Sequence, residues 1–350
     1  MNRKHIIEPT DRVLVTGASG FIGVKVVEML LEHGFRNIRC MVRPSSRRGR
    51  LETVLQALPA DASVEVVTGD LTSPADCGRV AEGVAVALHL AAGFDKSFAG
   101  AFMNSALATR NLMDALLERG RLVRFVNVSS FAVYSNLGMK RGALLDETAP
   151  LEDAPQQRHD AYAYGKLKQE QLVREYGRAR GLNYVILRPG TVYGPGKKDL
   201  TGRIGIDTFG FFIHLGGSNE LPLTFVDNCA EAVVLAGLVP GIDAEVFNVV
   251  DDERMTSAQF LSAYRRRVGR FTSVRLPYFL AVALCRLWER YSVKTHGQLP
   301  PAFNRRRCAA DWQGNRFTNQ KLRERVGWRP RVPLGEAMAR FLDQFPAVAR

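Results

Sequence analysis

A glycine-rich turn between a buried strand and a helix constrains this chain more than any other part of its sequence. A β-branched run at residues 13–16 predicts the strand, and an apolar pattern over residues 21–33 predicts the helix. Between them, the first glycine permits a tight turn, the second lets backbone amides approach a ligand, and the third lets the helix pack closely on the sheet. Because the positive end of such a helix attracts phosphate, we predict a dinucleotide site at this turn. Its predicted contacts are Gly17, Ser19, Gly20, Phe21, Ile22 and Gly23.

Strand and helix patterns alternate through the first 190 residues, which is typical of right-handed βαβ units with a parallel sheet covered on both faces. We therefore predict an α/β fold in which residues 1–190 form a Rossmann-type, doubly wound parallel sheet that binds NAD(P). Residues 191–350 are predicted to form a smaller, mainly helical C-terminal substrate lobe, parts of which return to the sheet. The predicted strands are residues 13–16, 37–42, 64–67, 84–90, 123–128 and 184–187, and the main predicted helices are 21–33, 103–119 and 162–180.

The charge of the chain is concentrated at its C-terminal end. The 350 residues include 48 Lys and Arg and 35 Asp and Glu, a net charge of +13. Residues 260–350 hold 19 of the basic residues and only 5 of the acidic ones. No nucleic-acid-binding motif accompanies this excess, so we expect a solvated basic face and no nucleic-acid partner. Such a face also suits anionic lipid or a phosphorylated substrate.

The cysteines and the apolar stretches indicate the cellular compartment of the protein. The five cysteines are odd in number and widely spaced, which indicates neither a disulfide framework nor a metal site. The first residues lack the apolar core of a secretory signal, so we predict a cytoplasmic protein. The longest apolar stretch, residues 276–285, is too short to span a bilayer. It is interpreted as packing or pocket-lining, or as a segment that lies at a membrane surface.

The end of the second predicted strand bears on the choice of cofactor. An acidic residue there would bind the ribose 2′-hydroxyl of NAD, but the chain has Arg43, followed by Arg47 and Arg48. Because arginine suits a 2′-phosphate, NADP is predicted, with NAD as the alternative. Further predicted cofactor contacts follow the third and fourth strands and are Asp70, Leu71, Ala91 and Ala92.

A tyrosine and a lysine four residues apart form the candidate catalytic group. On the predicted helix 162–180, Tyr162 and Lys166 share a face, and a lysine ammonium near the phenol would lower the tyrosine pKa toward a working range. One of two adjacent serines after the fifth strand would orient the substrate oxygen. Tyr164 and Lys168 have the same spacing, and the residues alone do not choose between the two pairs.

With these motifs the chain resembles the extended short-chain dehydrogenase/reductase family, in its NAD(P)-dependent epimerase/dehydratase and 3β-hydroxysteroid dehydrogenase-like branch. The resemblance covers almost the whole chain. It includes TGxxGxxG at residues 16–23, the passage RPGTVYGPG at residues 188–196 and GWRP at residues 327–330. The motifs occur in the family's order.

The resemblance implies the roles of individual residues. The family's active-site serine lies four residues before a tyrosine, as Ser130 does, and its tyrosine–lysine pair has a small residue before the lysine, as in Tyr162 and Lys166. These three are therefore the predicted catalytic residues, and Tyr162, Lys166 and Pro189 are also predicted to contact the cofactor. The family further implies a homodimer formed through helices 103–119 and 162–180.

Two classes of small-molecule substrate remain open from the sequence. The leading hypothesis is an oxidoreductase that moves hydride between NADP and a carbonyl or hydroxyl compound, and the alternative is a nucleotide-sugar epimerase or dehydratase with tightly bound NAD. Apolar runs at residues 209–215 and 276–285 suggest a pocket for an apolar carbonyl compound, whereas the C-terminal arginines suit a nucleotide diphosphate. A cofactor-binding protein without catalysis is a third hypothesis, which the Ser-Tyr-Lys set disfavours.

Overall fold

The computed structural model describes residues 5–198, 200–208, 210–269, 271–296, 298 and 303–346. In chain order, the first half contains β1 (Arg12–Thr16), α1 (Phe21–Glu32), β2 (Asn37–Val42), α2 (Gly49–Gln56), β3 (Ser63–Thr68), α3 (Pro74–Ala81), β4 (Val84–His89), α4 (Phe98–Ala101), a π-helical segment (Phe102–Leu107), α5 (Ala108–Arg119), β5 (Arg124–Val128), a 3₁₀ turn (Phe131–Val133), β6 (Leu144–Leu145), α6 (Ala161–Arg180) and β7 (Tyr184–Pro189). The second half contains β8 (Thr191–Tyr193), β9 (Gly205–Thr208), β10 (Phe211–His214), β11 (Glu220–Leu221), β12 (Leu223–Phe225), α7 (Val226–Leu238), β13 (Glu245–Val249), β14 (Met255–Thr256), α8 (Ser257–Val268), β15 (Ser273–Arg275), α9 (Tyr278–Lys294), α10 (Arg305–Trp312), β16 (Arg316–Phe317), α11 (Gln320–Val326) and α12 (Leu334–Asp343).

The main sheet has seven strands in the order β13-β7-β5-β4-β1-β2-β3, and every neighbouring pair is parallel. The chain builds outward from β1 in one direction and from β4 in the other, so the strand order reverses between these two strands. This arrangement confirms the predicted Rossmann-type fold, and its cleft lies at the carboxyl ends of the strands beside the reversal. All six predicted strands are present, with their ends within two residues of the prediction.

Two helical layers bury the main sheet, which explains why its central strands consist of continuous apolar runs. Helices α1 and α7 pack together on one face, around a core that includes Val26, Val27 and Val233. Helices α3, α5 and α6 cover the other face, with Leu112 and Val173 in its core. Since α7 and β13 follow residue 190, both halves of the sequence contribute to this layered structure. The division into domains at residue 190 stays a prediction.

The helix predicted at residues 103–119 begins earlier in the structure. Helix α4 starts at Phe98, because the Ser97 hydroxyl caps it by accepting a hydrogen bond from the Gly100 amide at 3.0 Å. A π-helical segment then joins α4 to α5. Such segments are rare and occur frequently at functional sites. Among the described residues, no helix is long and apolar enough to cross a membrane.

A buried ion pair ties α6 to β7. The Arg188 guanidinium donates to both carboxylate oxygens of Glu170 at 2.9 and 2.6 Å, and both side chains are only 2% exposed. Arg188 also donates to the Tyr134 hydroxyl at 3.0 Å, which in turn donates to the Asn248 side chain on β13 at 2.6 Å. Every charge in this network has a partner, as burial requires.

We expect Arg188→Met to lower the free energy of unfolding by about 3–5 kcal/mol, because the buried Glu170 carboxylate loses its bidentate partner and keeps only the longer contact with Arg174, at 3.8 Å. Urea unfolding followed by circular dichroism measures the loss. The control is Asp61→Asn, which breaks the solvent-exposed ion pair with Arg36 and should cost less than about 1 kcal/mol. Equal losses in the two variants would contradict this role of the buried pair.

Candidate active site

A cleft of about 1030 Å³ opens at the carboxyl ends of β1, β4, β5 and β7. Its size suits a dinucleotide together with a small substrate. All positions predicted from the sequence as catalytic or cofactor-binding line this one cleft: Gly17, Ser19, Gly20, Phe21, Ile22, Gly23, Arg43, Asp70, Leu71, Ala91, Ala92, Ser130, Tyr162, Lys166 and Pro189.

The glycine-rich turn has the geometry that a pyrophosphate requires. Gly17 has a φ of +71°, in the left-handed region that favours glycine. A Cβ on Gly23 would overlap the Gly17 carbonyl oxygen, so only glycine lets α1 pack this closely on the turn. No side chain caps α1, and its first turn has no acidic residue, so its N-terminal amides are available to an anion. The described residues therefore fit a dinucleotide at this position.

The three arginines after β2 differ in their surroundings. Arg43 is exposed and lines the cleft, whereas Arg47 and Arg48 are not among the lining residues. Arg48 donates to the Thr68 hydroxyl at 2.8 Å. Ser46 also lines the cleft, and its amide donates to the Arg43 carbonyl at 3.0 Å, which closes the turn. The sequence analysis did not single out Ser46.

The loop after β3 is fixed by its own hydrogen bonds. The Asp70 carboxylate accepts from the Thr72 amide at 2.8 Å, and the Asp70 amide donates to the Asp76 carboxylate at 2.8 Å. On the opposite wall, Ala91 lies against the turn, since a Cβ on Gly17 would come within 3.1 Å of the Ala91 nitrogen. These two loops form the sides of the cleft at its cofactor end.

Ser130, Tyr162 and Lys166 meet at the other end of the cleft. Ser130 lies beside Tyr162 and lowers the pKa of its phenol, and the Ser130 hydroxyl accepts from the Ala132 amide at 3.1 Å. The Lys166 ammonium donates to the carbonyl oxygen of Val128 at 2.6 Å. Ser130 lies between β5 and the 3₁₀ turn, whereas Tyr162 and Lys166 are both on α6, so the packing of α6 beside β5 brings the three together.

The second tyrosine–lysine pair lies on another face of α6. Tyr164 packs edge-on against Phe98, with ring centroids 5.5 Å apart. Lys168 donates to the Gln171 side chain at 3.0 Å, and this hydrogen bond is exposed to solvent. Neither residue lines the cleft.

Desolvation controls the ionisation of the candidate catalytic groups. It raises the pKa of Tyr162 to about 12, and the Ser130 side chain offsets part of the rise. It lowers the pKa of Lys166 to about 7, against the opposing effect of the Glu170 carboxylate. The expected lowering of the Tyr162 pKa by Lys166 is therefore absent in this structure. Instead, burial disfavours the charged form of both groups, and the lysine donates to a backbone carbonyl.

Phe94 is a cleft residue that the sequence analysis missed. Its ring stacks on Tyr162, with centroids 5.1 Å apart and an angle of 4° between the planes, although the side chain is largely exposed. Phe94 belongs to the loop after β4, where Asp95 accepts from the Asn104 amide on the π-helical segment at 3.0 Å. Only the small residues before it marked this loop in the sequence.

Three arginines from separate parts of the chain line the cleft. Buried Arg158 donates to the carbonyls of Ala132 and Tyr134 at 2.9 and 3.1 Å. Arg203 donates to the Ala310 carbonyl at 2.8 Å, and Arg307 lies near Asp311 on α10. The three line the cleft together with Asp160 and Asp311. This part of the cleft is therefore polar and rich in cations.

The apolar pocket expected from residues 209–215 and 276–285 is not found, and this expectation was wrong. None of the described residues in these two segments lines the cleft, and Phe209 lies outside the described residues. Instead the segments pack on each other and on α10, in a cluster that contains Leu215, Leu276, Ala281 and Cys285. Apolar sequence alone does not distinguish internal packing from pocket lining.

His89 is a structural residue of the core. It bonds the Thr16 and Thr109 hydroxyls at 2.8 and 2.9 Å, and desolvation lowers its pKa to about 3, with a further contribution from the charge of Lys166. The neutral ring therefore links β1, β4 and α5. Among the described residues, no cluster of His, Cys, Asp or Glu has the arrangement of a metal site.

Comparison with known proteins identifies the family. The model of the NAD dependent epimerase/dehydratase family matches residues 13–249. Two isoforms of a 3beta-hydroxysteroid-dehydrogenase/decarboxylase from Arabidopsis thaliana are similar to this chain. Isoform 1 is 25% identical, and the alignment covers 97% of this chain and 81% of the isoform. Isoform 2 is 26% identical, and the alignment covers 95% of this chain and 61% of the isoform. A 3-beta-hydroxysteroid dehydrogenase from Mycolicibacterium neoaurum is 27% identical over 95% of this chain and 91% of its own.

Among solved structures, a UDP-glucuronic acid 4-epimerase from Bacillus cereus in complex with UDP-glucuronic acid and NAD has a TM-score of 0.71. It is 21% identical, and the alignment covers 95% of this chain and 98% of that one. The shared fold, the relatives and the match over most of the chain together show that this protein is an enzyme of the NAD dependent epimerase/dehydratase family, within the extended short-chain dehydrogenases/reductases.

Proposed function

We propose that the protein is an NADP-dependent oxidoreductase that moves hydride between the nicotinamide and the carbonyl or hydroxyl carbon of a small molecule. The observation that carries the proposal is the meeting of Ser130, Tyr162 and the buried Lys166 in one cleft that also contains a dinucleotide turn. Relatives named as 3β-hydroxysteroid dehydrogenases act on this kind of group, which supports the proposal.

In this proposal each side chain of the set has a separate task. NADP, when bound, supplies or accepts the hydride. Tyr162 gives a proton to the substrate oxygen in reduction or takes it in oxidation, and Ser130 holds that oxygen by a hydrogen bond. Lys166 holds the nicotinamide ribose hydroxyls and, when charged, stabilises the phenolate of Tyr162. Glu170 supports the charged form of Lys166, since its carboxylate raises the pKa of that amine.

We expect Tyr162→Phe to lower turnover at least about 100-fold, because the substrate oxygen loses its proton donor. Binding of NADPH should stay nearly unchanged. Turnover is followed by absorbance of the reduced nicotinamide, with a carbonyl substrate found by screening. Tyr164→Phe is the matched control, since it removes the same hydroxyl from the other face of α6 and should leave turnover intact. Turnover by Tyr162→Phe within a few-fold of the wild type would exclude this assignment.

The cofactor preference rests on Arg43. Its exposed guanidinium lines the cleft at the end of β2, beside Ser46, where a 2′-phosphate is expected in a fold of this topology. Arginine binds phosphate by charge-assisted hydrogen bonds. NADP is therefore proposed as the cofactor.

We expect Arg43→Ala to weaken NADPH binding about 10-fold and NADH binding less than about 2-fold, because only NADPH has the 2′-phosphate. Calorimetric titration with both dinucleotides measures the two affinities. Arg47→Ala is the control, since Arg47 lies on the same turn but outside the cleft, and it should change neither. An equal loss for both dinucleotides would contradict the proposal of NADP.

A nucleotide-sugar epimerase with tightly bound NAD is the second candidate. The observation that favours it is the group of Arg158, Arg203 and Arg307 at the substrate end, since arginines there suit a diphosphate. An oxidoreductase whose substrate has a carboxylate or phosphate would use the same group.

Identification of the bound dinucleotide distinguishes these candidates. Freshly purified protein is denatured, and the released dinucleotide is identified and counted by mass spectrometry. For the oxidoreductase we expect much less than one NAD per chain, because its cofactor exchanges in each turnover. Nearly one NAD per chain would favour the epimerase, which reduces and reoxidises the same NAD within a cycle.

We also propose a homodimer in the cytoplasm. Phe102 and Met103 on the π-helical segment are exposed, and they would be covered by a partner that packs on this helix and α6. The five cysteines are buried free thiols, which supports a reducing compartment.

A further inference from the structure

Helix α9 packs against the rest of the described structure through one face. Ala281 and Cys285 are buried against α10, in the cluster that also contains Cys308 and Trp312. The residues on the far side of α9 face away from this cluster. Neither the cofactor turn nor the Ser-Tyr-Lys group involves α9, so the proposed function does not account for its outer surface.

The outer surface of α9 carries an apolar stripe. Four residues at successive helical spacings of four, three and four share one face, and they are 43%, 54%, 60% and 52% exposed: Leu280, Leu284, Leu287 and Tyr291. Soluble proteins seldom leave a contiguous stripe of this kind open to water. Such a stripe marks a contact surface.

A basic row lies directly beside this stripe. Arg286, Arg290 and Lys294 are spaced four apart, and all three are exposed. At about 3.6 residues per turn, the row follows the edge of the leucine stripe that is remote from α10. In the part of the chain that the structure describes, none of the three forms an ion pair. The one acid of α9, Glu289, faces the lobe and binds Arg305 of α10 at 2.7 Å.

An apolar stripe with an adjoining basic row is the arrangement of helices that lie in the plane of a membrane interface. The leucines enter the boundary between headgroups and acyl chains, and the basic row contacts anionic headgroups. Tyr291 and Phe279, which is also exposed, add the aromatic side chains that are enriched at this depth. With 17 residues, three of them basic, α9 is suited to lying on a bilayer and not to crossing it.

The charge of the row favours a bilayer over a second copy of the chain. In an antiparallel pair of α9 helices packed through the leucine stripe, the basic row of one helix would face the basic row of the other. This like-charge contact opposes pairing. An anionic lipid surface instead provides the opposite charge along the whole row.

We propose that α9 docks the protein on anionic membrane surfaces. Helix α10, which packs against α9, also supplies Arg307 and Asp311 to the cleft. The docked face is therefore one helix away from the substrate end of the cleft.

Flotation of the full-length protein with lipid vesicles tests this proposal. The vesicles contain phosphatidylcholine alone or with about one third phosphatidylglycerol. We expect binding to the anionic vesicles only, and at least about 10-fold weaker binding by Leu284→Gln/Leu287→Gln and by Arg286→Gln/Arg290→Gln/Lys294→Gln. The control is Val123→Gln, a valine that is 37% exposed between α5 and β5 and should not affect binding.

Tryptophan emission provides an independent measure of docking. Trp312 and Trp328 are buried, whereas Trp288 on α9 is exposed, so lipids with brominated acyl chains should quench Trp288 selectively. Trp288→Phe should remove the quenched component. Unchanged melting temperatures and NADPH binding show that the variants are folded.

Three outcomes would overturn the proposal. The first is a wild-type protein that does not float with anionic vesicles. The second is a Leu284→Gln/Leu287→Gln variant that binds them as the wild type does. The third is a lower mass in sedimentation for that variant alone, because it assigns the stripe to a second copy of the chain.

Discussion

The buried ion pair between Glu170 and Arg188 holds the walls of the cleft in place. Glu170 lies one helical turn after Lys166 on α6, and Arg188 lies one residue before Pro189 at the end of β7. Through Tyr134, the pair extends to β13. One network thus fixes the helix with the candidate catalytic residues, the strand that ends at the cleft and the edge of the sheet. Because each of its charges is costly to bury alone, the network favours a single relative position of these elements.

Desolvation determines which protonation states the titratable groups of the cleft favour. The same low-polarity surroundings raise the pKa of Tyr162 and lower that of Lys166, because in both cases they disfavour the charged form. Two interactions oppose them: the Ser130 side chain lowers the pKa of the phenol, and the Glu170 carboxylate raises that of the amine. Glu170 therefore has two functions in the proposed mechanism: it neutralises Arg188 and it supports the ammonium of Lys166. The Glu170 carboxylate thus has both a structural role and a chemical role.

The sequence predicted the features that depend on local pattern, and those that depend on distant contacts were missed. Six strands followed from β-branched runs, and the turn at Gly17 followed from spacing, since both are set by neighbouring residues. The choice of Tyr162 and Lys166 as the catalytic pair required the family resemblance, because Tyr164 and Lys168 have the same spacing. Helix α6 itself places them on another face. Arg158, Arg203 and Arg307 are far apart in the chain, and only tertiary packing brings them to one end of the cleft. Apolar segments 209–215 and 276–285 were misread, because packing and pocket lining have the same composition.

The structure explains why the C-terminal quarter is basic, which its net charge alone does not. Several of its arginines pair with acids from earlier in the chain: Arg306 with Glu152, Arg331 with Glu32, and Arg340 with Asp227. The charge imbalance along the sequence thus becomes a set of ion pairs that join the C-terminal segments to the rest of the protein. Nucleic-acid binding is not needed to explain these residues. The basic row of α9 differs from them, because it faces outward beside exposed leucines and the first half of the chain supplies no acid to it among the described residues. The distribution of charge over the folded surface, and not its sum, therefore singles out α9 as a contact surface.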